Sequence, residues 1–313
     1  MENISGIVVA TSIPPKTIRY DESGREVGQA YQQSCIQSWT DAGFRILSLN
    51  FPEETPHLIS HYPMVDFITV DCDNATRLGR KTPLISDFLR VLAEQNERII
   101  GILNADILLE NHDWINVINR STRKALAVAH RADVLSLDCN DPVSYRDGYD
   151  LFFMERKSIP QGITYPFAMG LPWWDYCLPI YSMLRGLPVN IIASPMAFHL
   201  QHAMNYMWES WQYMAHEFAK FVLEYAAGAS PETLVQEHLS PVIKLSRKIA
   251  AKRDIVDDIS QTPICGRLLS AAGRLPLIRR YTDGHDREAK RHRLSAACVE
   301  AIDTGQLPRA FDM

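Results

Sequence analysis

An acidic residue follows an almost continuous apolar run, at a position where a metal could bind. Residues 98–103 read Arg-Ile-Ile-Gly-Ile-Leu and are followed by Asn104, Ala105 and Asp106. Such a run is typical of a buried parallel strand, and open α/β sheets bind ligands beyond the carboxyl ends of their strands. A carboxylate there can ligate Mg²⁺ or Mn²⁺, which bridge diphosphate oxygens. A solvated turn or an N-cap is the competing interpretation of Asp106 taken alone.

A cationic loop lies directly before the helix that leads into this strand. Residues 76–83 read Thr-Arg-Leu-Gly-Arg-Lys-Thr-Pro, and a helix is predicted over 83–95. Arg80 and Lys81 therefore stand close to a helix N-terminus, where cations and backbone N–H groups can hold a diphosphate. An ordinary solvent-exposed loop is the alternative.

Two adjacent tryptophans lie beside a second carboxylate. Trp173 and Trp174 either anchor the core or stack on a sugar, because exposing two indoles to water is costly. Asp175 follows them at a predicted helix start. It can act there as a general base or simply cap the helix.

Two histidines accompany a late strand of the same region. His199 and His202 lie three residues apart, and either imidazole can complete a metal site with Asp106. A His-x-x-His pair without further context is more often structural. We predict that the nearby Trp208 and Trp211 form a packing stripe for the C-terminal helices.

The elements expected to position these residues alternate between strands and helices. Strands are predicted over 6–12, 44–49, 66–70, 98–103, 125–128, 150–154 and 189–193, and helices over 28–42, 83–95 and 174–185. This order predicts an α/β fold with a mostly parallel sheet covered by helices on both faces. Residues 206–255 have a helical pattern throughout, and the chain from Pro241 onward is rich in Lys and Arg. We therefore predict a catalytic domain over 1–215 and a helical, basic C-terminal region over 216–313.

Composition and charge are those of an ordinary globular protein. The 313 residues are 46% hydrophobic and 22% charged, which is enough apolar material for a sizeable core. A net charge of −5 argues against a wholesale nucleic-acid binder. The six scattered cysteines form neither a CxxC pair nor a zinc-finger pattern, which favours a reducing compartment. Without a signal-peptide core or a run of about 18 apolar residues, we predict a cytoplasmic protein, at most peripheral to the inner face of a membrane.

Taken in order, these features resemble the GT-A glycosyltransferase superfamily over about residues 5–210. Asn104-Ala105-Asp106 looks like the DxD-type motif of that superfamily, with Asn in place of the first Asp. The Gly-Leu-Pro-Trp-Trp-Asp stretch that ends at Asp175 is similar to the region supplying the acceptor-side acid in inverting members. The region of His199 is similar to the late strand that often supplies a metal-binding histidine.

The resemblance implies a GT-A-like fold and a hexosyltransferase-like enzyme that uses a nucleoside-diphosphate sugar. The acceptor would be a hydroxyl of a glycan or glycolipid, as in the assembly of bacterial surface polysaccharides. Mn²⁺ or Mg²⁺ would be bound by Asp106 with His199 or His202, and Asp175 would be the base of an inverting reaction or would orient substrate in a retaining one. The resemblance further implies donor contacts from Thr11, Ser12, Asn50, Arg80, Lys81 and Asn104, and sugar contacts from Trp173 and Trp174.

Other functions and a role for the tail stay open. A sugar-nucleotide pyrophosphorylase shares the layout, but it would carry a Gly-rich loop where this chain has Thr-Ser-Ile-Pro-Pro after the first strand. A dehydrogenase is disfavoured because no GxGxxG follows an early strand. A non-catalytic carbohydrate- or nucleotide-sugar-binding protein on a degenerate transferase fold would explain the missing first Asp. The basic tail either docks on anionic lipid or an acidic glycan, or is a solvated helical face or a partly disordered end.

Overall fold

Four parallel strands form the N-terminal half of the main sheet in the computed structural model. They are β1 (Ile7–Thr11), β2 (Phe44–Asn50), β3 (Val65–Thr69) and β4 (Ile99–Leu103), in the order β4-β1-β2-β3. Among the described residues, the connections between them contain α1 (Gly28–Asp41), α2 (Thr55–Ile59) and α3 (Ile85–Ala93). The chain order reverses between β1 and β4, so the crevice beyond their carboxyl ends is the topological switch point at which open α/β sheets bind ligands.

The structure describes eleven stretches of the chain. They are residues 6–21, 23–71, 78, 81–135, 142–145, 148–193, 197–202, 208–229, 239–251, 262–273 and 279–281. Arg80 and the tail beyond 281 lie outside these described residues, as do the predictions made for them.

The C-terminal half of the sheet contains one antiparallel strand. β9 (Leu151–Glu155) lies antiparallel between β4 and β6 (Leu126–Ala129), and β10 (Val189–Ile192) and β12 (Arg279–Tyr281) continue parallel to β6. Gly101 of β4 allows the close approach of β9, because a Cβ there would lie 2.7 Å from the ring of Phe153. The eight-stranded, mostly parallel sheet confirms the predicted fold class, and the reversal at β9 is the feature that the strand pattern did not reveal.

Side chains of the strands alternate between two hydrophobic cores. Ile7 and Val9 of β1 face the core with α1 and α4 (Trp114–Ser121), whereas Val8 and Ala10 face the core with α3 and α5 (Trp174–Leu184). This is the period-two alternation of a strand that is buried on both faces.

A second, four-stranded sheet lies beside the switch point. Its order is β5 (Leu108–Leu109), β11 (Ala197–Leu200), β7 (Arg131–Val134) and β8 (Val143–Ser144). In the parallel register of β7 and β11, His199 lies opposite Asp133. Strands as short as β5, β7 and β8 have no clear periodicity, and the sequence analysis did not predict them.

The C-terminal helices share the core of the main sheet. α6 (Trp208–Ala227), α7 (Ser240–Ala250) and α8 (Thr262–Gly273) bury residues in the same cluster as β1 and α5. The boundary predicted between 215 and 216 falls inside α6, where Ala215 and Phe218 are both in that cluster. Among the described residues, no helix combines the length and the hydropathy that crossing a membrane requires.

Candidate functional site

Asp106, His199 and His202 converge at the carboxyl edge of the sheet. The Asp106 Oδ2 atom is 3.3 Å from His199 Nε2 and 3.4 Å from His202 Nε2. One potential ligand atom from each residue lies within 4.8 Å of the others. The sequence analysis named all three residues, and the structure brings them together from the ends of β4 and β11.

Side chains of α1 hold the turn that carries Asp106. The buried Tyr31 hydroxyl donates to the carbonyl oxygen of Asp106 at 2.7 Å and accepts from the Leu200 amide at 2.8 Å. Gln32 donates to the Ala105 carbonyl oxygen at 2.6 Å, and Trp39 donates to that of Ile107 at 2.7 Å. A buried hydroxyl requires hydrogen-bond partners, and here those partners join the ends of β4 and β11.

A row of hydrogen-bonded acidic and basic side chains supports His199. The His199 Nδ1 atom is 2.9 Å from Asp133 Oδ1, which also accepts from Arg131 Nε at 2.8 Å. Arg131 Nη1 and Asn104 Nδ2 both donate to Asp150 Oδ1, at 2.9 Å and 2.6 Å. Because Asp133 holds Nδ1, the Nε2 atom of His199 is the one directed at Asp106; metal-binding histidines commonly donate their other ring nitrogen to a carboxylate in this way. The amide of Asn104 is directed at Asp150.

The buried site shifts the pKa values of Asp106 and His199 in opposite directions. Burial acts to raise the pKa of Asp106, but hydrogen bonds from His199 and His202 and the charge of Arg19 lower it well below its usual range. Burial acts to lower the pKa of His199, and its hydrogen bonds to Asp106 and Asp133 outweigh this and raise the pKa to about 9. A metal ion at Asp106 would therefore have to displace a proton from His199.

Arg19 also contacts this site, and no local pattern singled it out in the sequence. Its Nη2 atom lies 2.6 Å from Asp106 Oδ2, and both side chains are largely buried. Arg131, Asp133, Asp150 and Tyr31 were likewise not predicted as site residues. Each lies near or within an apolar strand or helix pattern, in which a single polar residue is not distinctive.

Asp175 lies close to the group of residues that supports His199. Its Oδ2 atom accepts a hydrogen bond from the Tyr149 amide at 3.3 Å. A Cβ atom at Gly148 would lie 2.1 Å from the same oxygen, so a larger residue at this position would displace the carboxyl group. Burial raises the pKa of Asp175 to about 8, and the negative charge of Asp150 contributes. Perturbed carboxyl groups of this kind are frequent at catalytic sites.

Both tryptophans of the Trp-Trp-Asp segment are core residues in this structure. Trp173 is 2% exposed, donates from Nε1 to the Trp211 carbonyl oxygen at 3.1 Å and packs against Phe218. Trp174 is 4% exposed and packs on Phe152. Stacking of either ring on a sugar would require it to leave the core. Trp211 is 2% exposed, which confirms the packing role predicted for it.

Four of the residues predicted to contact the donor lie near the ends of β1 and β2: Thr11, Ser12, Asn50 and Lys81. Thr11 and Asn50 are fully buried, and Asn50 donates to the Ile13 carbonyl oxygen at 2.8 Å, which joins the two strand ends. Ser12 is partly exposed between them. Lys81 lies at the same edge, 3.0 Å from Glu53 and over the ring of Phe51.

Comparison with known proteins shows a likeness of fold. No protein-family model matches the chain, and no curated protein sequence matches it. The chain is similar to the crystal structure of S. aureus TarS 1–349 in complex with UDP-GlcNAc, with a TM-score of 0.50 and 9% identity, over 85% of this chain and 81% of that one. For the same fragment with UDP, the TM-score is 0.48 at 8% identity, over 85% and 80%. For the crystal structure of HddC from Yersinia pseudotuberculosis, the TM-score is 0.31 at 12% identity, over 52% of this chain and 82% of that one. The match to the UDP-GlcNAc complex, at 9% identity, shows a shared GT-A-like fold and no more.

Proposed function

We propose that this chain, which has the fold of the GT-A glycosyltransferases, transfers a sugar from a nucleoside-diphosphate sugar to a hydroxyl group of a glycan or glycolipid. The observation that carries the proposal is the position of Asp106, His199 and His202 at the switch point between β1 and β4. The UDP-GlcNAc complex of TarS, which has the same fold, supports the donor class.

The three side chains fit a divalent metal, and their chemistry favours Mn²⁺ over Mg²⁺. They supply one carboxylate oxygen and two imidazole nitrogens. Mg²⁺ demands oxygen ligands in near-ideal octahedral geometry, whereas imidazole nitrogen suits later divalent metals. Three protein ligands leave coordination positions for donor oxygens. When bound, the ion would act as a Lewis acid on the departing diphosphate.

The remaining residues have roles that follow from their positions. Lys81, released from Glu53, would neutralise charge on the diphosphate, together with Arg80. Ser12 would contact the nucleotide, while Thr11 and Asn50 hold the loop beside it. Asp175 would take the proton of the acceptor hydroxyl if the reaction inverts configuration, and would orient substrate if it retains configuration.

A thermal-shift screen of UDP-, GDP-, CMP- and dTDP-sugars, each with and without Mn²⁺, tests this proposal. A ligand at 100 times its Kd stabilises the folded state by about 2.7 kcal/mol, which corresponds to several degrees in Tm. We expect one nucleotide to raise the Tm only when Mn²⁺ is present, and Asp106→Ala to abolish that shift. If no nucleotide shifts the Tm, the alternative of a non-catalytic carbohydrate-binding protein replaces this proposal.

Replacing Asp133 with alanine should weaken Mn²⁺ binding by about 10- to 100-fold, because a carboxylate that accepts from the other ring nitrogen orients a metal-bound imidazole and increases its basicity. Asp133→Asn should lose less, since its amide oxygen can still accept from His199 Nδ1. The free Mn²⁺ signal in electron paramagnetic resonance reports the affinity. Asp66→Ala, at an exposed carboxylate of β3 that pairs with Arg45, is the control. An unchanged affinity in Asp133→Ala would show that His199 needs no such support.

A further inference from the structure

Arg19 spans the crevice at the topological switch point. It follows β1 in the chain, while Asp106 follows β4, and the two side chains meet at 2.6 Å. Their relative exposures are 14% and 22%. The guanidinium therefore contacts the same carboxylate oxygen that lies 3.3 Å from His199 Nε2 and 3.4 Å from His202 Nε2.

Arg19 lies in a hairpin, defined here as residues 19–21 and 23–27, that is stabilised by its own contacts. The Val27 amide donates to the Arg19 carbonyl oxygen at 2.8 Å, and Tyr20 and Glu26 form an antiparallel bridge. Asp21 accepts from the amides of Ser23 and Arg25 at 2.9 Å and 3.0 Å. Because these hydrogen bonds are internal to the hairpin, they do not depend on the contact of Arg19 with Asp106.

The hydrogen-bonding capacity of Arg19 is only partly used. Nη2 contacts Asp106, and Nη1 donates to the Ile18 carbonyl oxygen at 2.9 Å. Nε is buried and has no partner among the described residues. A guanidinium offers a planar fork that matches two phosphate oxygens, and leaving one of its donors buried without an acceptor is costly. A diphosphate in the crevice would supply the missing acceptor.

We propose that Arg19 exchanges partners when the donor binds: the metal takes Asp106, and the guanidinium moves to the diphosphate of the nucleotide sugar. Arg19 is then a donor-binding residue whose contact with Asp106 competes with the metal in the ligand-free protein. This inference rests on the proposed function, because it requires both a metal and a diphosphate at this edge of the sheet.

The exchange predicts effects of opposite sign in Arg19→Gln. Mn²⁺ alone should bind about tenfold tighter, because the Asp106 carboxylate no longer has to be released from Arg19 before it binds the ion. At saturating Mn²⁺, UDP or GDP, tested separately, should bind about tenfold more weakly, because a charge-assisted contact to phosphate is lost. Paramagnetic resonance of free Mn²⁺ measures the first affinity and titration calorimetry the second.

Arg25→Gln is the matched control. Arg25 lies on the same hairpin, its side chain is 77% exposed and it pairs with Asp21, so neither affinity should change. Arg19→Lys keeps the charge without the fork and should shift both affinities in the same directions by less, which provides the test if Arg19→Gln does not fold.

Two other results would overturn the inference in distinguishable ways. In the first, the wild type binds Mn²⁺ and nucleotide, but a folded Arg19→Gln protein binds Mn²⁺ no more tightly than the wild type. Arg19 then does not compete with the metal, and the proposed function stands. Absence of both Mn²⁺ and nucleotide binding in the wild type would remove the proposed function and, with it, the exchange.

Discussion

Asp106→Asn should lower turnover of the nucleotide sugar by about 10³-fold or more at a Mn²⁺ concentration that saturates the wild type, which corresponds to about 4 kcal/mol in the activation barrier. Asp106 is the single carboxylate of the three-residue site, and its Oδ2 atom lies within reach of both imidazoles. A neutral amide is a much poorer ligand for a divalent ion, so the electrostatic stabilisation of the departing diphosphate is lost with the metal. Release of free nucleoside diphosphate, measured by chromatography, reports turnover.

The nearly isosteric substitution separates charge from packing. Tyr31 bonds to the backbone carbonyl oxygen of Asp106, so the turn after β4 should keep its position in the variant. Asp66→Asn, at an exposed carboxylate of β3, should have wild-type turnover. If Asp106→Asn retained metal-dependent turnover near the wild-type rate, another group would have to hold the ion, and the three-residue site would be wrong.

Asp175→Asn should lower sugar transfer by about 10²- to 10⁴-fold while changing nucleotide affinity by no more than about twofold, if Asp175 is the base. The carboxyl must be ionised to accept a proton. Because burial and the charge of Asp150 raise its pKa to about 8, the wild-type rate should rise with pH and level off above pH 8. Transfer to an acceptor, followed from pH 6 to pH 9, measures this. A loss of only a few fold, with the same pH profile, would instead assign Asp175 an orienting role.

Stability provides a readout of Asp175 that is independent of substrate. Between its ordinary pKa near 3.8 and about 8, the folded protein keeps a proton on Asp175 that the unfolded chain releases. The folded state therefore binds more protons, and the free energy of unfolding should decrease as pH rises through this window. In Asp175→Asn this contribution is absent, so its Tm should depend less on pH. Parallel Tm curves for the two proteins would contradict the raised pKa.

Local sequence patterns determined seven of the eight strands of the main sheet, all but β12, and the places where ligand-binding residues could stand. The β-branched, apolar runs of β1 and β4 are buried along their whole length, and Asp106 lies three residues after the end of β4. Both facts depend on residues adjacent in the chain. A buried strand needs apolar side chains on both faces, and its carboxyl end is a recurrent ligand site in this class of fold. His199 and His202 were expected near Asp106 because they follow a predicted strand and because their region resembles the late strand of the GT-A superfamily.

Tertiary structure alone decided which residues surround that site and which of the residues predicted for it lie in the core instead. His199 meets Asp133, 66 residues away in the chain, because β7 and β11 pair in one register, and Arg19 meets Asp106 across 87 residues. The indole of Trp173 is buried because α6, which lies later in the chain, packs Trp211 and Phe218 on it. A local pattern specifies whether a side chain is polar or apolar. Its partners depend on strand register and helix packing, which form between segments far apart in the sequence.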